Sequence, residues 1–379
     1  MSGSVLRVPG VSLLLAMTVL GFSGYAALLP VAPLWAVHGG ADAVGAGLVN
    51  GVLMLFTVLM QLLVPTALRR LGWTPVLVTG LLLLGLPTAA LGLSDALAPV
   101  LAISALRGLG FGVLTVTGSA LIAELVEPAR RGRAIGAYGL AIAGPQVLFL
   151  SAGPWIVEEL GFGVMFALGV LPALGAVPAA VLARMLDHVP EAQEPAPYRR
   201  LLRPMALLLA VTLAGGALIT FMAPMSSSAA LSTVALLVMT VMAALARWRV
   251  GALADRLGAH RFIWPLVLVT SAGMALIAWA VRDADATHAV ALLLGAALVG
   301  TSYGGLQNLT LVVSFQAVSR PHYGSASAVW NIGFDAGTGI GSVVIGMVAT
   351  GTSFSTAVLV GGALSLLTLP LALRRQVTS

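Results

Sequence analysis

Twelve apolar runs, each long enough to cross a bilayer, divide this chain, and no soluble fold can bury that many. They lie near residues 9–36, 43–68, 74–93, 97–123, 132–157 and 162–185, then near 204–224, 229–249, 261–281, 287–316, 323–349 and 353–373. A helix needs roughly 20 residues to cross about 30 Å of hydrocarbon, so each run reads as one span. The Pro and Gly inside several of them are tolerated where neighbouring helices satisfy the freed backbone groups. Composition agrees: 8% of residues are charged, where a soluble domain carries about a quarter. The first run follows Arg7 much as a secretory leader would. It continues through Trp35, however, and eleven others follow, so it reads as an uncleaved first span.

Every basic side chain among the 19 Lys+Arg residues is an arginine. Arg7, Arg69, Arg70, Arg130, Arg131, Arg133, Arg184, Arg199, Arg200, Arg203, Arg247, Arg249, Arg256, Arg261, Arg320, Arg374 and Arg375 fall on one side of the alternating spans. Arg282 falls on the other side, and Arg107 lies inside a span. Clusters confined to short gaps between apolar runs speak for membrane orientation rather than nucleic acid. Both termini are therefore expected in the cytoplasm of a cell's plasma (inner) membrane. The opposite loops carry Asp42, Asp95, Glu158, Glu159, Asp283 and Asp285. The absence of cysteine excludes disulfides, thiolate metal sites and cysteine nucleophiles. The histidines, His38, His188, His260, His288 and His322, sit at span ends or in loops without metal-ligand spacing. No nucleophile–base pair occurs within the spans. Neither an enzyme, a metal site nor a cofactor is expected.

Pro190, Pro195, Pro197 and Pro204 stand among charges between the sixth and seventh spans. This segment, 187–203, reads as a cytoplasmic linker between a bundle at 1–186 and a second at 204–379. The halves repeat. Residues 131–145 (RGRAIGAYGLAIAGP) align with 323–337 (YGSASAVWNIGFDAG) at an offset of 192, pairing Gly132 with Gly324, Tyr138 with Trp330 and Ala143 with Asp335.

Between the eighth and ninth spans runs Gly251-Ala-Leu-Ala-Asp255-Arg256-Leu-Gly258-Ala-His-Arg261. It resembles the G-x-x-x-D-R-x-G loop signature of the major facilitator superfamily. Two glycines suit a tight turn, and the acid can face the positive end of a neighbouring helix. The bland alternative is a polar hairpin turn. The matching first-half loop keeps Arg70 and Gly72 but has Pro65 for the first glycine and Arg69 for the acid. The resemblance implies that Asp255 alone holds the cytoplasmic side shut, near Arg130, Arg131 or Arg133. Pro128-Ala-Arg-Arg131-Gly132-Arg-Ala-Ile-Gly136 is similar to the family's loop between spans four and five. Arg107-Gly-Leu-Gly110-Phe-Gly112 looks like its span-four arginine with close-packing glycines. Gly139-x-x-x-x-Gly144-Pro145 resembles the span-five antiporter signature in part, with its spacing off by one. The resemblance implies an all-α integral membrane protein of twelve transmembrane helices in two pseudo-symmetric six-helix bundles.

Arg107 and Asp335 are the charges read as deep within spans, where an ionised group costs on the order of 3 kcal/mol. They either pair for structure, or Asp335 takes and releases a proton while Arg107 tunes it or meets an anion. Glu124, near a span end, reads as a gate or loop residue. Polar side chains at helical spacing suggest a wet cavity: Asn331, Asp335, Thr338 and Ser342 on span eleven, Asn50, Met54, Thr57 and Gln61 on span two, and Tyr303, Gln307, Thr310 and Ser314 on span ten beside Asn308. The same stripes could serve hydrogen bonding between helices. Gln146, Tyr25 and Met222 are added as cavity candidates.

The leading expectation is proton-coupled export of a small organic compound by alternating access, an efflux antiporter working as a monomer with protons, substrate and lipid as partners and no nucleic acid. Uptake of a small organic anion with Arg107 as counter-charge is the first rival. A membrane sensor or scaffold that transports nothing is the second.

Overall fold

The computed structural model describes residues 8, 10–127, 131–186, 198–283, 286–319 and 322–373, apart from the side chains of residues 119, 123, 131–133, 252 and 255. Twelve helical segments are long and apolar enough to span a membrane. They are α1 (Val11–His38), α2 (Ala43–Leu71), α3 (Trp73–Leu93), α4 (Leu97–Ile122), α5 (Ala134–Leu160), α6 (Phe162–Ala183), α7 (Tyr198–Phe221), α8 (Ala229–Gly251), α9 (His260–Ala280), α10 (Ala289–Gln316), α11 (Tyr323–Gly351) and α12 (Phe354–Leu373). Helical backbone begins at Tyr198, so the last part of the segment read as a linker is the first turn and a half of α7, and residues 187–197 lie outside the described residues.

Contacts group the chain into two compact units, Met1–Gly39 with Val52–Ala192, and Gly40–Gly51 with Gln193–Ser379. Within the first unit, α4 packs through its glycines. A Cβ at Gly108 would strike the Leu53 carbonyl and one at Gly112 the Thr57 carbonyl, both on α2. Gly110, on the other face, lies against Gly80 and Leu84 of α3. With no hydrophobic drive between lipid-immersed helices, such close backbone approach supplies the dispersion contacts that hold them. The arginine–glycine sequence Arg107–Gly112 is thus a three-helix packing seam.

The second unit repeats this seam. Gly300 and Gly304 of α10 meet the backbone of Met239 and Ala243 on α8. Gly108 and Gly112 map onto Gly300 and Gly304 at the offset of 192 found in the sequence, while Leu53 and Thr57 map onto Met239 and Ala243 at 186. The aromatic pair follows the same rule. Tyr138 lays its hydroxyl over Gly118, and its counterpart Trp330 donates its indole N–H to the Thr310 hydroxyl at 3.1 Å. Gly118 and Thr310 are themselves equivalent.

The Gly–Asp–Arg signature is not a loop. The α8 helix runs on unbroken to Leu257, so Gly251 to Arg256 form its last turns and the chain reverses only at Gly258. There φ is +87°, and at the equivalent Gly72 after α2 it is +79°, conformations that side chains with a Cβ adopt only under strain. Gly251 is needed for a different reason: a Cβ there would press on the Asn308 amide.

Candidate polar sites in the two units

In the first unit Arg107 is 1% exposed and donates to the Gly24 carbonyl at 3.3 Å. Tyr25, 4% exposed, lies within electrostatic reach of the guanidinium and stacks face to face on Phe111 with centroids 3.7 Å apart. Arg107 Nε is buried without a hydrogen-bond partner among the described residues. Gln61 donates to the Thr115 hydroxyl at 3.0 Å, bridging α2 to α4. Gln146 is different. It opens a π-helical turn, Gln146–Leu150, that follows Pro145 in α5, and its half-buried amide has no partner among the described residues. Such turns leave backbone and side chain off the regular helical register and often mark functional positions.

In the second unit Asp335 is 3% exposed near the middle of α11. Its charge acts on Tyr303 of α10, which also feels Arg247 and adjoins Gln307. Arg247 donates to the Gln307 side-chain oxygen. Sequence reading placed Arg247 at the cytoplasmic end of its span. The span indeed ends at Gly251, four residues past Arg247, while the helix itself continues to Leu257; the contact with Gln307 seats Arg247 alongside α10. Arg247 keeps exposed surface, yet protein rather than bulk water makes up most of its surroundings. Trp330, Phe334 and Tyr303 wall the same region, with Phe334 centroids 5.7 Å from Trp330 and 6.1 Å from Tyr303. Asn331, one turn before Asp335, is half-buried and has no hydrogen-bond partner among the described residues.

Several residues named as cavity candidates make hydrogen bonds between helices or are buried among them. Asn50 is 1% exposed and donates to Thr220 at 2.9 Å; Thr220 in turn pairs with Ser342 at 2.8 Å, so the polar stripe of α2 here ties its first turns to α7 and α11. Asn308 donates to the backbone carbonyl of Arg247 at 3.1 Å. Met222 is 0% exposed, just past the end of α7. Periodicity alone cannot separate a stripe facing water from one facing a helix, because both repeat at 3.6 residues.

Of the gating residues, Glu124 and Arg256 are exposed at helix ends. Arg130 and the side chains of Asp255, Arg131 and Arg133 lie outside what is described. Sequence reasoning missed Arg247. The offset of 186 that aligns Gly72 with Gly258 also aligns Gln61 with Arg247, and would have drawn attention to it.

The chain matches the family model described as Major Facilitator Superfamily over residues 13–315 and 250–378. Curated protein sequences give no match. Among solved structures, a bacterial homolog of the human lysosomal transporter Spinster, inward-facing and occupied, is similar at TM-score 0.75 and 13% identity, covering 98% of this chain and 97% of that one. The nucleoside transporter NupG gives TM-score 0.71 at 14% identity over 96% and 98% of the two chains. The human organic anion transporter MFSD10 gives 0.67 at 17% over 98% and 100%. Glycine seams repeated in two six-helix sets, the Gly–Asp–Arg helix end and a family match along nearly the whole length converge: this chain is a twelve-helix membrane transporter, not an enzyme, and belongs to the major facilitator superfamily.

Proposed function

We propose that the chain is a secondary transporter that moves a small organic compound by alternating access, with Asp335 taking up and releasing the coupling proton. The reading rests above all on Asp335 itself, a carboxylate 3% exposed in the middle of an apolar helix. Such a group is costly unless it is protonated, paired or in contact with water, and a carboxyl that alternates among those conditions is a proton carrier. Tyr303, Gln307, Asn331 and Gln146 are proposed as polar lining, and Asp255 and Arg256 as part of the cytoplasmic closure. The arginine distribution supports cytoplasmic termini and a plasma-membrane location. Export is the direction proposed, from the resemblance around spans four and five. A second reading, uptake of an organic anion, gains support from the accessible charge of Arg247 and from the fold shared with an organic anion transporter.

The test is flux in proteoliposomes carrying an imposed pH gradient, and protection of cells stripped of their own exporters against a panel of toxic compounds. Asp335→Asn is expected to abolish gradient-driven accumulation while leaving binding intact. Unchanged gradient-driven flux in that variant would overturn the assignment. Sensitisation of cells by the wild-type chain, in place of protection, would establish uptake.

A further inference from the structure

We propose that the second unit holds one phosphatidylethanolamine molecule where α9 gives way to α10, at the end opposite the Gly–Asp–Arg turn. The phosphate lies against Arg282, the ammonium faces the acids of the same loop, and an acyl chain fills the groove between the two helices. The site is separate from the polar groups around Asp335 and does not depend on the proton-coupling reading.

The groove comes first. Leu276 and Trp279 on the last turns of α9, with His288, Val290 and Leu294 at the start of α10, line a recess of about 420 Å³. Val290 is 74%, Leu294 56% and Trp279 47% exposed, so apolar walls open outward. Trp264 and Trp279 are both exposed near opposite ends of α9, the placing of the aromatic belts at the two membrane–water interfaces. Trp279 thus sets the mouth of the groove at headgroup level, and Val290 and Leu294 run from there toward the hydrocarbon.

Charge comes next. The Arg282 guanidinium carbon lies 5.2 Å from the centre of the Trp279 ring, and His288 stacks on the same indole at 4.7 Å with the planes 12° apart. Among the described residues no carboxylate stands within ion-pair distance of Arg282. Contact with a ring face fixes the guanidinium at the rim and leaves N–H donors for a phosphodiester. Asp283 is exposed beside it, and Asp285 follows in the sequence. The loop is therefore net negative around one cation. A headgroup with a net negative charge would meet Arg282 but be repelled by the acids, whereas phosphate with ammonium matches both signs. A primary ammonium also donates hydrogen bonds to carboxylates, which a quaternary one cannot.

The internal comparison supplies the third observation. Residues 281–288 join α9 to α10, whereas residues 94–96 suffice to join α3 to α4 in the first unit. That short connection holds Asp95, paired with His38 at 3.0 Å, and no arginine. Closing the helix pair therefore requires neither the longer loop nor its cation. Arg282 is also the arginine that stands against the side preference of the other loops. A phosphate contact gives it a reason to be there.

The experiment uses purified full-length protein stripped of lipid in detergent. The probes are dioleoyl phosphatidylethanolamine, phosphatidylcholine, phosphatidylglycerol and diacylglycerol, matched in their chains. Thermal stabilisation is read against lipid concentration, and native mass spectrometry counts the lipids that stay bound. Wild type is expected to retain one phosphatidylethanolamine, with a half-maximal concentration about threefold or more below that of the other two phospholipids. Diacylglycerol should give no saturable response. Arg282→Gln should raise the half-maximal concentration about threefold to fivefold, the scale of an exposed ion pair, and Arg282→Lys should recover part of it. Val290→Asn, on the groove wall, should weaken all three phospholipids alike. Both positions are exposed, so lipid-free melting temperatures should stay at the wild-type value and control for folding. Asp335→Asn should bind the lipid as wild type does. Equal response to phosphatidylethanolamine and phosphatidylcholine, a preference for phosphatidylglycerol, a matching response to diacylglycerol, or unchanged affinity in Arg282→Gln would each overturn the proposal. Dimers in the same spectra that vanish in Val290→Asn would place a second copy of the chain on the groove and overturn it too.

Discussion

Where Gln61 donates to Thr115 in the first unit, Arg247 donates to Gln307 in the second; where Gly118 lies under Tyr138, Thr310 accepts a hydrogen bond from Trp330; and where Ala143 stands in α5, Asp335 stands in α11. The glycine contacts around these positions are the same in both units. What differs is polarity: the second unit has gained a cation, an anion and an indole hydrogen bond on a scaffold that packs equally well without them. The backbones differ in the opposite sense. Helices α1, α3, α5 and α6 of the first unit are interrupted by turns, 3₁₀ or π segments, whereas among the described residues of the second only α12 is. The comparison teaches that the duplicated seam is what a half needs in order to fold, and that charge and helix breaks are laid over it separately.

The hardest way to break this view is at the seam itself. Gly304→Val should drive a side chain into the Ala243 carbonyl and Gly112→Val one into the Thr57 carbonyl, each costing about 3 kcal/mol or more because backbone cannot rotate away. Detergent melting curves should show similar losses for both; a loss confined to one unit would show that the seam is not equivalent in the two. Next comes a transplant. Gln61→Arg combined with Thr115→Gln builds the charged pair in the first unit, where it should destabilise by up to about 3 kcal/mol. A silent transplant would mean that this depth tolerates charge at no cost.

Smaller effects sharpen the picture. Gly72→Ala and Gly258→Ala force a Cβ into positive φ and should each lower stability by about 1 kcal/mol, read from the same melts. Trp330→Phe removes one indole hydrogen bond to Thr310 and should cost about 1 kcal/mol, with Tyr138→Phe nearer to zero because Tyr138 faces a glycine. Last is Asp95→Asn. The His38–Asp95 pair at 3.0 Å is exposed at both partners, so its loss should change stability by less than about 0.5 kcal/mol at any salt concentration.

The spans, their number and the repeat could be read from sequence because lipid enforces them: helices must be apolar for their full length, and duplicated glycines must stay small wherever backbones touch. The site was less legible. Asn50, Gln61 and Asn308 carry the same side-chain types as Asn331 and Gln307 at the same helical spacing, and only tertiary contact reveals which amides are already engaged. Arg247 was read as one more cytoplasmic-side arginine, because it stands four residues from the end of its span, and only tertiary contact pairs it with Gln307. Asp335 was found early because a lone carboxylate inside a span has few innocent explanations.

The π turn at Gln146–Leu150 carries a record of how the halves diverged. A π turn holds one residue more than the α-helix it replaces, so every position beyond it is rotated by about 100° from where an unbroken helix would place it. Ahead of the turn α5 matches α11 at an offset of 192, as Tyr138 matches Trp330; past it, Ser151 falls opposite Ser342 at 191, both of them buried serines. The bulge is thus a one-residue insertion absorbed locally, and deleting Val147 would restore a regular helix at the expense of turning Trp155 and Glu158 to a new face.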